Sequence, residues 1–327
     1  MDYNNVKKAG IIHKIVCHEV KPRIKHNATY LSIAEFVENR VKELLNDPSG
    51  SSGMAFPCGI SVNDCVAHDT PSKNDPRVFV NGDVVKIDFG VHVKGSIVDA
   101  AFTSIVGDPL SIEDSNAVNA SKAALKMAIS KAKPGCHLLE LGKSIQIFVE
   151  NFVENYAEND NGVKPPPKPP KPPKVVWDIC GHQIGLWRVH LPGGKAVPNV
   201  GNVWNPDPSH PSNAKGYDYK MEAGEYYAIE VYTSTGAGRA LPKDGYTYKD
   251  VSHFEFYQDP RHGPLKQYKT LPFCRRWLDS NQSIKLRKAI STKKVEMSPE
   301  LYDSPGSRVA QFEHTIYITA DGCQVMA

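Results

Sequence analysis

Apolar residues recur at helical spacing in four stretches of the chain, which are residues 3–18, 32–45, 112–132 and 138–154. A capping box at Ser32 and Glu35 is expected to begin the second stretch. Segments with strand patterns follow each pair of helical stretches. The order helix, helix, strands therefore occurs twice. It predicts two similar halves and an α+β fold in which helices cover an antiparallel sheet.

Residues 81–106 predict a β-hairpin with β-branched residues on both arms. Asp88 lies on one arm and Asp99 on the other. A turn at Val93-Lys94 would make the two aspartates direct cross-strand partners, and a turn at Lys94-Gly95 would make them diagonal neighbours. Since side chains alternate along a strand, both registers place the two carboxylates on one face.

Two facing carboxylates repel each other, and a cation between them removes this cost. The positions around Asp88 and Asp99 are mostly apolar on both faces of the hairpin, so the strands are expected to be buried on both sides. A buried aspartate needs a partner. The hairpin therefore favours a metal site over two solvated carboxylates.

Three further segments carry polar groups in strand-like surroundings. His182 lies in GHQIGLWRVH, where His190 follows it by eight residues, and Glu230 ends the run EYYAIE. Glu313 lies in VAQFEHTIYIT, where a carboxylate is costly unless it is paired or bound. With the two aspartates, these segments supply four carboxylates and one metal-binding imidazole, all expected on strands.

Composition narrows the class of protein. The 327 residues are 40% hydrophobic and 23% charged, which is ordinary for a globular protein with a sizeable core. A net charge of +3 does not predict binding to a specific nucleic acid or a membrane. Seven cysteines without regular spacing favour a reducing compartment, and the N-terminal stretch lacks the apolar core of a signal peptide. We expect a cytoplasmic protein.

We expect residues 1–327 to form one catalytic domain with two additions. The run KPPPKPPKPPK predicts an extended polyproline segment inside a surface loop over residues 158–175, and residues 201–218 are also rich in turn formers. Residues 255–303 predict a small helical insertion with a basic surface. The proline run suits either a stiff spacer or a ligand for a proline-recognising domain.

Several collinear motifs resemble those of the type 2 methionine aminopeptidases, which have the pita-bread fold. The matching segments are AFPCGISVNDCVAH, VVKIDFGVHVKGSIVDAAFT, GHQIGLWRVH, YAIE, STGAG, SHF, TLPFCRRWL and AQFEHTI. They extend over nearly the whole chain. The resemblance implies a pseudo-two-fold antiparallel sheet covered by helices, and residues 255–303 correspond to the insertion that separates type 2 from type 1.

The resemblance also implies roles for single residues. The metal ligands would be Asp88, Asp99, His182, Glu230 and Glu313. Among them Asp99 and Glu313 would bridge two ions, and Glu230 would act as the general base. The residues that contact the substrate would be Phe56, His68, His190 and His253. His68 and His190 are expected to donate hydrogen bonds to the scissile carbonyl, and Phe56 to line the pocket for the methionine side chain.

The activity implied is removal of the N-terminal methionine from nascent proteins when the second residue is small, by attack of metal-activated water on the first peptide bond. Two divalent ions are expected, and oxygen ligands with one imidazole suit Mn, Co, Fe or Zn. The implied partners are the N-termini of nascent polypeptides, with transient ribosome contact, and the protein is expected to be a monomer. A non-catalytic pita-bread paralogue that binds RNA or the ribosome, and a peptidase like prolidase or aminopeptidase P, are the alternatives.

One segment departs from the family pattern. Relatives often carry a YPP-like stretch before the last long strand, which supplies a tyrosine to the pocket rim. This chain has MSPELYD there, so Ser298 takes that position, and Tyr302 is the only tyrosine of the segment. Whether Tyr302 substitutes for the missing rim tyrosine is open from the sequence.

Overall fold

The computed structural model describes residues 1–152, 171–201, 219–247 and 251–327. Five α-helices lie in this part of the chain: α1 (Tyr3–Val20), α2 (Tyr30–Leu45), α3 (Ile112–Lys131), α4 (Leu138–Glu150) and α5 (Ser280–Ser291). Short 3-10 turns occupy Lys21–Arg23, Lys266–Tyr268 and Arg275–Trp277. None of the described helices is both long and apolar enough to cross a membrane.

The first half of the molecule contains β1 (Gly53–Val62), β2 (Cys65–Ala67), β3 (Val84–Val93) and β4 (Ser96–Ile105). The strands of the second half are β5 (Lys174–Val175), β6 (Cys180–Gln183), β7 (Ala196–Pro198), β8 (Tyr226–Ser234), β9 (Leu241–Pro242), β13 (Leu301–Tyr302), β14 (Val309–Ile318) and β15 (Cys323–Val325). Between β9 and β13 lie β10 (His253–Phe256), β11 (Phe273–Cys274) and β12 (Val295–Ser298).

The two halves repeat one arrangement. In the first half, β1, β3 and β4 form an antiparallel sheet with β3 in the middle. In the second half, β8 takes the middle place between β6 and β14. Apolar residues of α1 and α2 belong to the core that lies against the first sheet, and those of α3 and α4 to the core against the second. The expected α+β fold with a pseudo-two-fold antiparallel sheet is confirmed.

Two threonine hydroxyls join the halves. Thr315 Oγ1 lies 2.7 Å from both the backbone N and the backbone O of Asp99. Thr103 Oγ1 makes the equivalent pair of hydrogen bonds to the backbone of Gln311, at 2.7 and 2.8 Å. Asp99 and Thr103 are four positions apart on β4, and Gln311 and Thr315 are four positions apart on β14. The two pairs of hydrogen bonds therefore hold β4 and β14 side by side across the pseudo-two-fold axis. This brings one face of each half-sheet to a common centre.

One helix start differs from the expectation. The N-cap of α2 is Thr29, whose hydroxyl accepts a hydrogen bond from the backbone N of Ser32 at 3.1 Å. The predicted capping box at Ser32 is therefore wrong. The helix begins earlier because Tyr30, in its first turn, is buried and stacks on Phe79, with 4.6 Å between ring centroids. Tertiary packing of one aromatic residue decides the first turn.

The insertion has a core of its own. Its three strands form a separate sheet in the order β11-β10-β12, and α5 packs against it. The core residues are Val251, Phe254, Phe256, Leu265, Phe273, Leu278, Leu286, Ala289 and Val295. The segment thus combines one α-helix with a three-stranded sheet, and its extent as an insertion over residues 255–303 stays a prediction.

Most of the predicted loop over residues 158–175 lies outside the described residues, as does the segment 202–218. The last two residues of that prediction form β5, which pairs with β8. All seven cysteines are free. The role of the proline run stays a prediction.

Candidate metal centre

The hairpin turn lies at Lys94-Gly95, because Val93 pairs with Ser96. Asp88 is then opposite Ala101 and Asp99 is opposite Gly90. Of the two registers left open by the sequence, the structure has the one in which the aspartates are diagonal neighbours on one face. In the second half, Glu230 and Glu313 are direct partners across β8 and β14.

His182 closes the cluster from β6. Its Nε2 lies 3.5 Å from Asp99 Oδ2, and the ligand atoms of Asp99, His182 and Glu313 all lie within 4.8 Å of one another. Gly181 allows this approach, since a Cβ there would overlap the backbone O of Ala228 on β8. The expectation that all four carboxylates and the imidazole lie on strands is confirmed.

Gln311 is part of the site, although the sequence motifs do not assign it a role. Its Nε2 donates to Asp88 Oδ2 and to Glu313 Oε2, each at 3.1 Å, and so connects a carboxylate of each half. By pseudo-two-fold symmetry it stands where the first half has Asp99. The available signal was its position two residues before Glu313, which puts both side chains on one face of β14.

The carboxylates are held in an environment that opposes their charge. Asp99, Glu230 and Glu313 are 3%, 7% and 2% exposed. Burial, reinforced by the neighbouring carboxylates, raises the pKa of Asp88, Glu230 and Glu313 well above the usual range. Burial raises the pKa of Asp99 to about 7. Without a cation, these groups take up protons near neutral pH.

The residues fit a divalent cation. Asp88 Oδ1 is one of the described buried atoms without a hydrogen-bond partner, and His182 Nε2 faces Asp99 Oδ2. Burial lowers the pKa of His182 to about 4, so its ring is neutral and can offer a lone pair. Carboxylate oxygens with one neutral imidazole suit hard to borderline divalent metals, and a cation would offset the repulsion among the acids.

Added metal is expected to stabilise the fold more strongly as the pH rises. In the metal-free protein the raised carboxyl pKa values mean that charge, and therefore repulsion, develops as the pH increases through neutrality. A metal has to displace the remaining protons, so its affinity also increases with pH. The melting temperature with Mn²⁺ minus that with a chelator should widen between about pH 6 and about pH 8.

Buried histidines away from the cluster, such as His13 and His92, contribute equally with and without metal, so taking the difference in melting temperature removes their effect on stability. Scanning calorimetry at several pH values measures this difference in melting temperature. A difference in melting temperature that stays constant or narrows with rising pH would mean that the carboxylates do not hold the ion.

Three other histidines lie beside the cluster. The ring centroid of His190 is 4.2 Å from that of His182, and the centroids of His68 and His253 are 6.0 Å apart. Desolvation by the surrounding protein lowers the pKa of His190 well below its usual value, and the neighbouring His182 and His68 lower it further. His253 lies on β10, in the three-stranded sheet β11-β10-β12, so this sheet also contributes to the site.

The environment of His68 fixes which ring nitrogen carries the proton. Nδ1 lies 3.1 Å from the backbone O of Pro299, and a carbonyl can only accept, so Nδ1 donates. Burial lowers the pKa of His68 and keeps the ring neutral, which leaves Nε2 as a bare acceptor. The expected donation from His68 to a carbonyl would need the protonated ring, which burial disfavours.

Phe56 lies on the same face as the aspartates. A Cβ on Gly90 would overlap the ring of Phe56, and Gly90 shares its strand face with Asp88. The absence of a side chain at Gly90 therefore makes room for the aromatic ring beside the cluster. The residues proposed for the site from the sequence therefore lie within the cluster of carboxylates and His182 or beside it.

The segment that departs from the family pattern holds His68. Ser298 pairs with His253 across β12 and β10, and the next residue, Pro299, accepts the hydrogen bond from His68. Tyr302 donates to Glu300 at 2.5 Å, and Lys243 Nζ lies 4.0 Å from the centroid of its ring. These contacts of Tyr302 are with residues outside the proposed site set, so they do not support it as a replacement for the rim tyrosine.

Comparison with known proteins gives a consistent answer. The sequence profile of metallopeptidase family M24 matches residues 4–320. A protein named methionine aminopeptidase 2 from Komagataella phaffii is 33% identical over 345 residues, which cover 99% of this chain and 69% of the relative. Another of the same name from Saccharomyces cerevisiae is 35% identical over 350 residues, covering 99% and 75%.

Solved structures agree on the fold. A methionine aminopeptidase from Thermotoga maritima matches with a TM-score of 0.64 at 22% identity, covering 100% of this chain and 97% of that one. The structure of a thermophilic Arx1 matches with a TM-score of 0.74 at 16% identity, covering 99% and 90%. At these identities the likeness concerns the fold alone. The profile match and the relatives above 30% identity show that the chain belongs to metallopeptidase family M24, among the relatives of methionine aminopeptidase 2.

Proposed function

We propose that the protein is a metal-dependent aminopeptidase that removes an N-terminal methionine when the second residue is small. The observation that carries the proposal is the buried group of four carboxylates and one neutral imidazole, with Asp88 Oδ1 unpartnered among the described residues. The names of the relatives support methionine as the residue removed. Family membership supports a divalent metal as the cofactor.

Two divalent ions, of Mn, Co, Fe or Zn, are proposed for this site. The ligands would be Asp88, Asp99, His182, Glu230 and Glu313, with Gln311 orienting two of the carboxylates from outside the ligand set. When bound, the metals would lower the pKa of a water molecule and polarise the scissile carbonyl. The four carboxylates balance the four positive charges of two such ions, which supports this stoichiometry.

Glu230 is proposed as the general base. It is almost fully buried and lies directly opposite Glu313 across β8 and β14, so its carboxylate belongs to the group that would hold the metals and the attacking water. It would accept the proton of the attacking water and pass it to the leaving amine. His190 and His253 are proposed to contact the substrate, and Phe56 to contact the methionine side chain.

His68 is proposed to accept a hydrogen bond at Nε2. Since Nδ1 donates to Pro299, the neutral ring can bind an N–H of the substrate, such as that of the scissile amide, and cannot donate to the carbonyl. This revises the role expected from the sequence. Donation to the carbonyl oxygen then falls to His190, whose ring lies beside that of His182.

The setting of the reaction is also part of the proposal. The protein would act in the cytoplasm as a monomer on the N-termini of nascent polypeptides, with transient ribosome contact. Seven free cysteines support a reducing compartment.

The test is release of methionine from synthetic peptides. With added Mn²⁺ or Co²⁺, the purified protein should release methionine from a peptide beginning Met-Ala and should spare one beginning Met-Lys. An N-acetylated Met-Ala peptide is the matched control, because an aminopeptidase needs the free α-amine. Free methionine is measured by mass spectrometry.

The outcomes separate the alternatives. If the protein releases no methionine with Mn, Co, Fe and Zn each tested in turn, the enzyme assignment is contradicted and a non-catalytic paralogue is favoured. Preferred cleavage before proline would instead indicate a peptidase like prolidase or aminopeptidase P.

A further inference from the structure

The loop from Gly185 to His190 contains a backbone conformation that is rare for a bulky residue. Trp187 has φ +59°, in the left-handed region that glycine and asparagine favour. Such a conformation persists only where the surrounding structure holds it, and such positions cluster at functional sites. The loop joins β6, which carries His182, to His190.

The hairpin holds Trp187 from one side. The backbone N of Trp187 donates to the backbone O of Gly95, in the hairpin turn, at 2.8 Å. The indole lies so close over Gly95 that a Cβ there would overlap it. His92 packs against the same ring, with 4.9 Å between centroids. The indole of Trp187 therefore packs on the turn of the hairpin that carries Asp88 and Asp99.

The insertion holds the loop from the other side. Lys269 Nζ lies 3.3 Å from the centroid of the Trp187 ring, within the range of a cation–π contact. Thr270 Oγ1 donates to the backbone O of Trp187 at 2.5 Å. Arg188 donates to acceptors near β10, which are Glu255 Oε1 at 3.4 Å, Phe256 O at 3.3 Å and Tyr257 O at 2.6 Å.

His190 lies three residues after Trp187, and its ring lies against His182. The path of the backbone between Trp187 and His190 sets the direction of that ring. We propose that Trp187 is a positioning residue: seated on Gly95 and secured by Lys269 and Thr270, it fixes the loop that aims His190 at the substrate. This inference rests on the proposed function, because it assumes that His190 contacts the reacting group.

The same contacts link three parts of the molecule. The hairpin supplies Gly95, the second half supplies the loop, and the insertion supplies Lys269 and Thr270. A change at the hairpin turn should therefore alter the reaction through His190 without removing a metal ligand. A group displaced by about 1 Å in a catalytic site can lower the rate on the order of 100-fold.

The test is Gly95→Ala, which places a methyl group against the indole. Gly95 has φ +82°. The matched control is Gly135→Ala, since Gly135 has φ +83° and nothing lies within 4 Å of the added Cβ. Both variants carry the same backbone penalty, and only the first disturbs Trp187. We expect Gly95→Ala to lower kcat about 100-fold with little change in KM and in bound metal, and Gly135→Ala to retain kcat.

A double-mutant cycle with His190→Ala tests the route of the effect. If Gly95 acts through Trp187 and His190, Gly95→Ala should cause no further loss of kcat in the His190→Ala protein. Losses that multiply would overturn the proposal, as would full activity of Gly95→Ala. Trp187→Leu provides a second variant that removes the indole without a clash, and it should match Gly95→Ala in the same cycle.

A readout other than activity separates this inference from the proposed function. Side-chain ¹H–¹⁵N spectra of histidine-labelled protein, assigned with His190→Ala, report the His190 ring directly. Its signal should move in Gly95→Ala and in Trp187→Leu but not in Gly135→Ala. If the wild type releases no methionine, the proposed function fails, but this spectrum still tests whether Trp187 positions the His190 ring. If the His190 signal moves in neither Gly95→Ala nor Trp187→Leu, the positioning role of Trp187 is overturned.

Discussion

Asp99→Asn is expected to lower methionine release on the order of 1,000-fold or more, because metal-assisted stabilisation of the reaction is worth several kcal/mol. Asp99 is within 3.5 Å of His182 Nε2, belongs to the tightest group of potential ligands and stands between the two halves. An asparagine keeps the shape of the side chain but offers one oxygen and no charge. We expect bound metal, measured by elemental analysis, to fall together with kcat.

The matched control for this prediction is Asp108→Asn. Asp108 follows β4 and is exposed, so the same chemical change there should leave metal content and turnover as in the wild type. The melting temperature in chelator should not fall in Asp99→Asn, since the substitution removes one of several mutually repelling buried groups. Normal metal content together with normal activity in Asp99→Asn would refute Asp99 as a ligand.

His68→Asn is expected to lower kcat about 100-fold while the metal stays bound, the scale typical of losing a positioned proton acceptor or hydrogen-bonding group. His68 has φ +68°, and asparagine tolerates this region better than other residues with a side chain, so the substitution isolates the loss of the imidazole. The exposed residue His262 provides the control variant His262→Ala, which should retain activity.

The bare Nε2 of His68 also predicts covalent modification. A lone pair on a neutral ring can attack the carbon of an epoxide, so we expect a fumagillin-type epoxide to alkylate this histidine. Tandem mass spectrometry should place the added mass on His68 in the wild type and find none in His68→Asn. Retained metal with unchanged kcat in His68→Asn, or adduct on another residue, would contradict the role given to His68.

Much of the fold could be predicted because it depends on local periodicity. The four helical stretches correspond to α1 to α4, and the alternation along the hairpin put Asp88 and Asp99 on one face in either register. The choice between registers could not be made, because both turns suit the residues. Trp187, which lies 92 positions away from Gly95 in sequence, packs over the turn at Lys94-Gly95 in the structure.

Contacts between distant segments account for what the sequence did not give. The start of α2 depends on Tyr30 packing against Phe79, and the proton position on His68 depends on a carbonyl 231 residues away. The contact of Gln311 with Asp88 exists only because β14 lies near β3 in the structure. The distant partners in these contacts, which are Phe79, the carbonyl of Pro299 and Asp88, cannot be predicted from a local pattern.

By itself the sequence determined which groups could form a site, since a carboxylate on a buried strand has to be neutralised, and four such carboxylates together with the imidazole of His182 can bind divalent metal. The tertiary structure decided how these groups meet. It placed Asp99 within reach of His182, joined the halves through Thr103 and Thr315, and turned His68 into an acceptor. The reason is physical: periodicity fixes the face on which a side chain lies, whereas distances and proton positions depend on which remote backbone packs against that face.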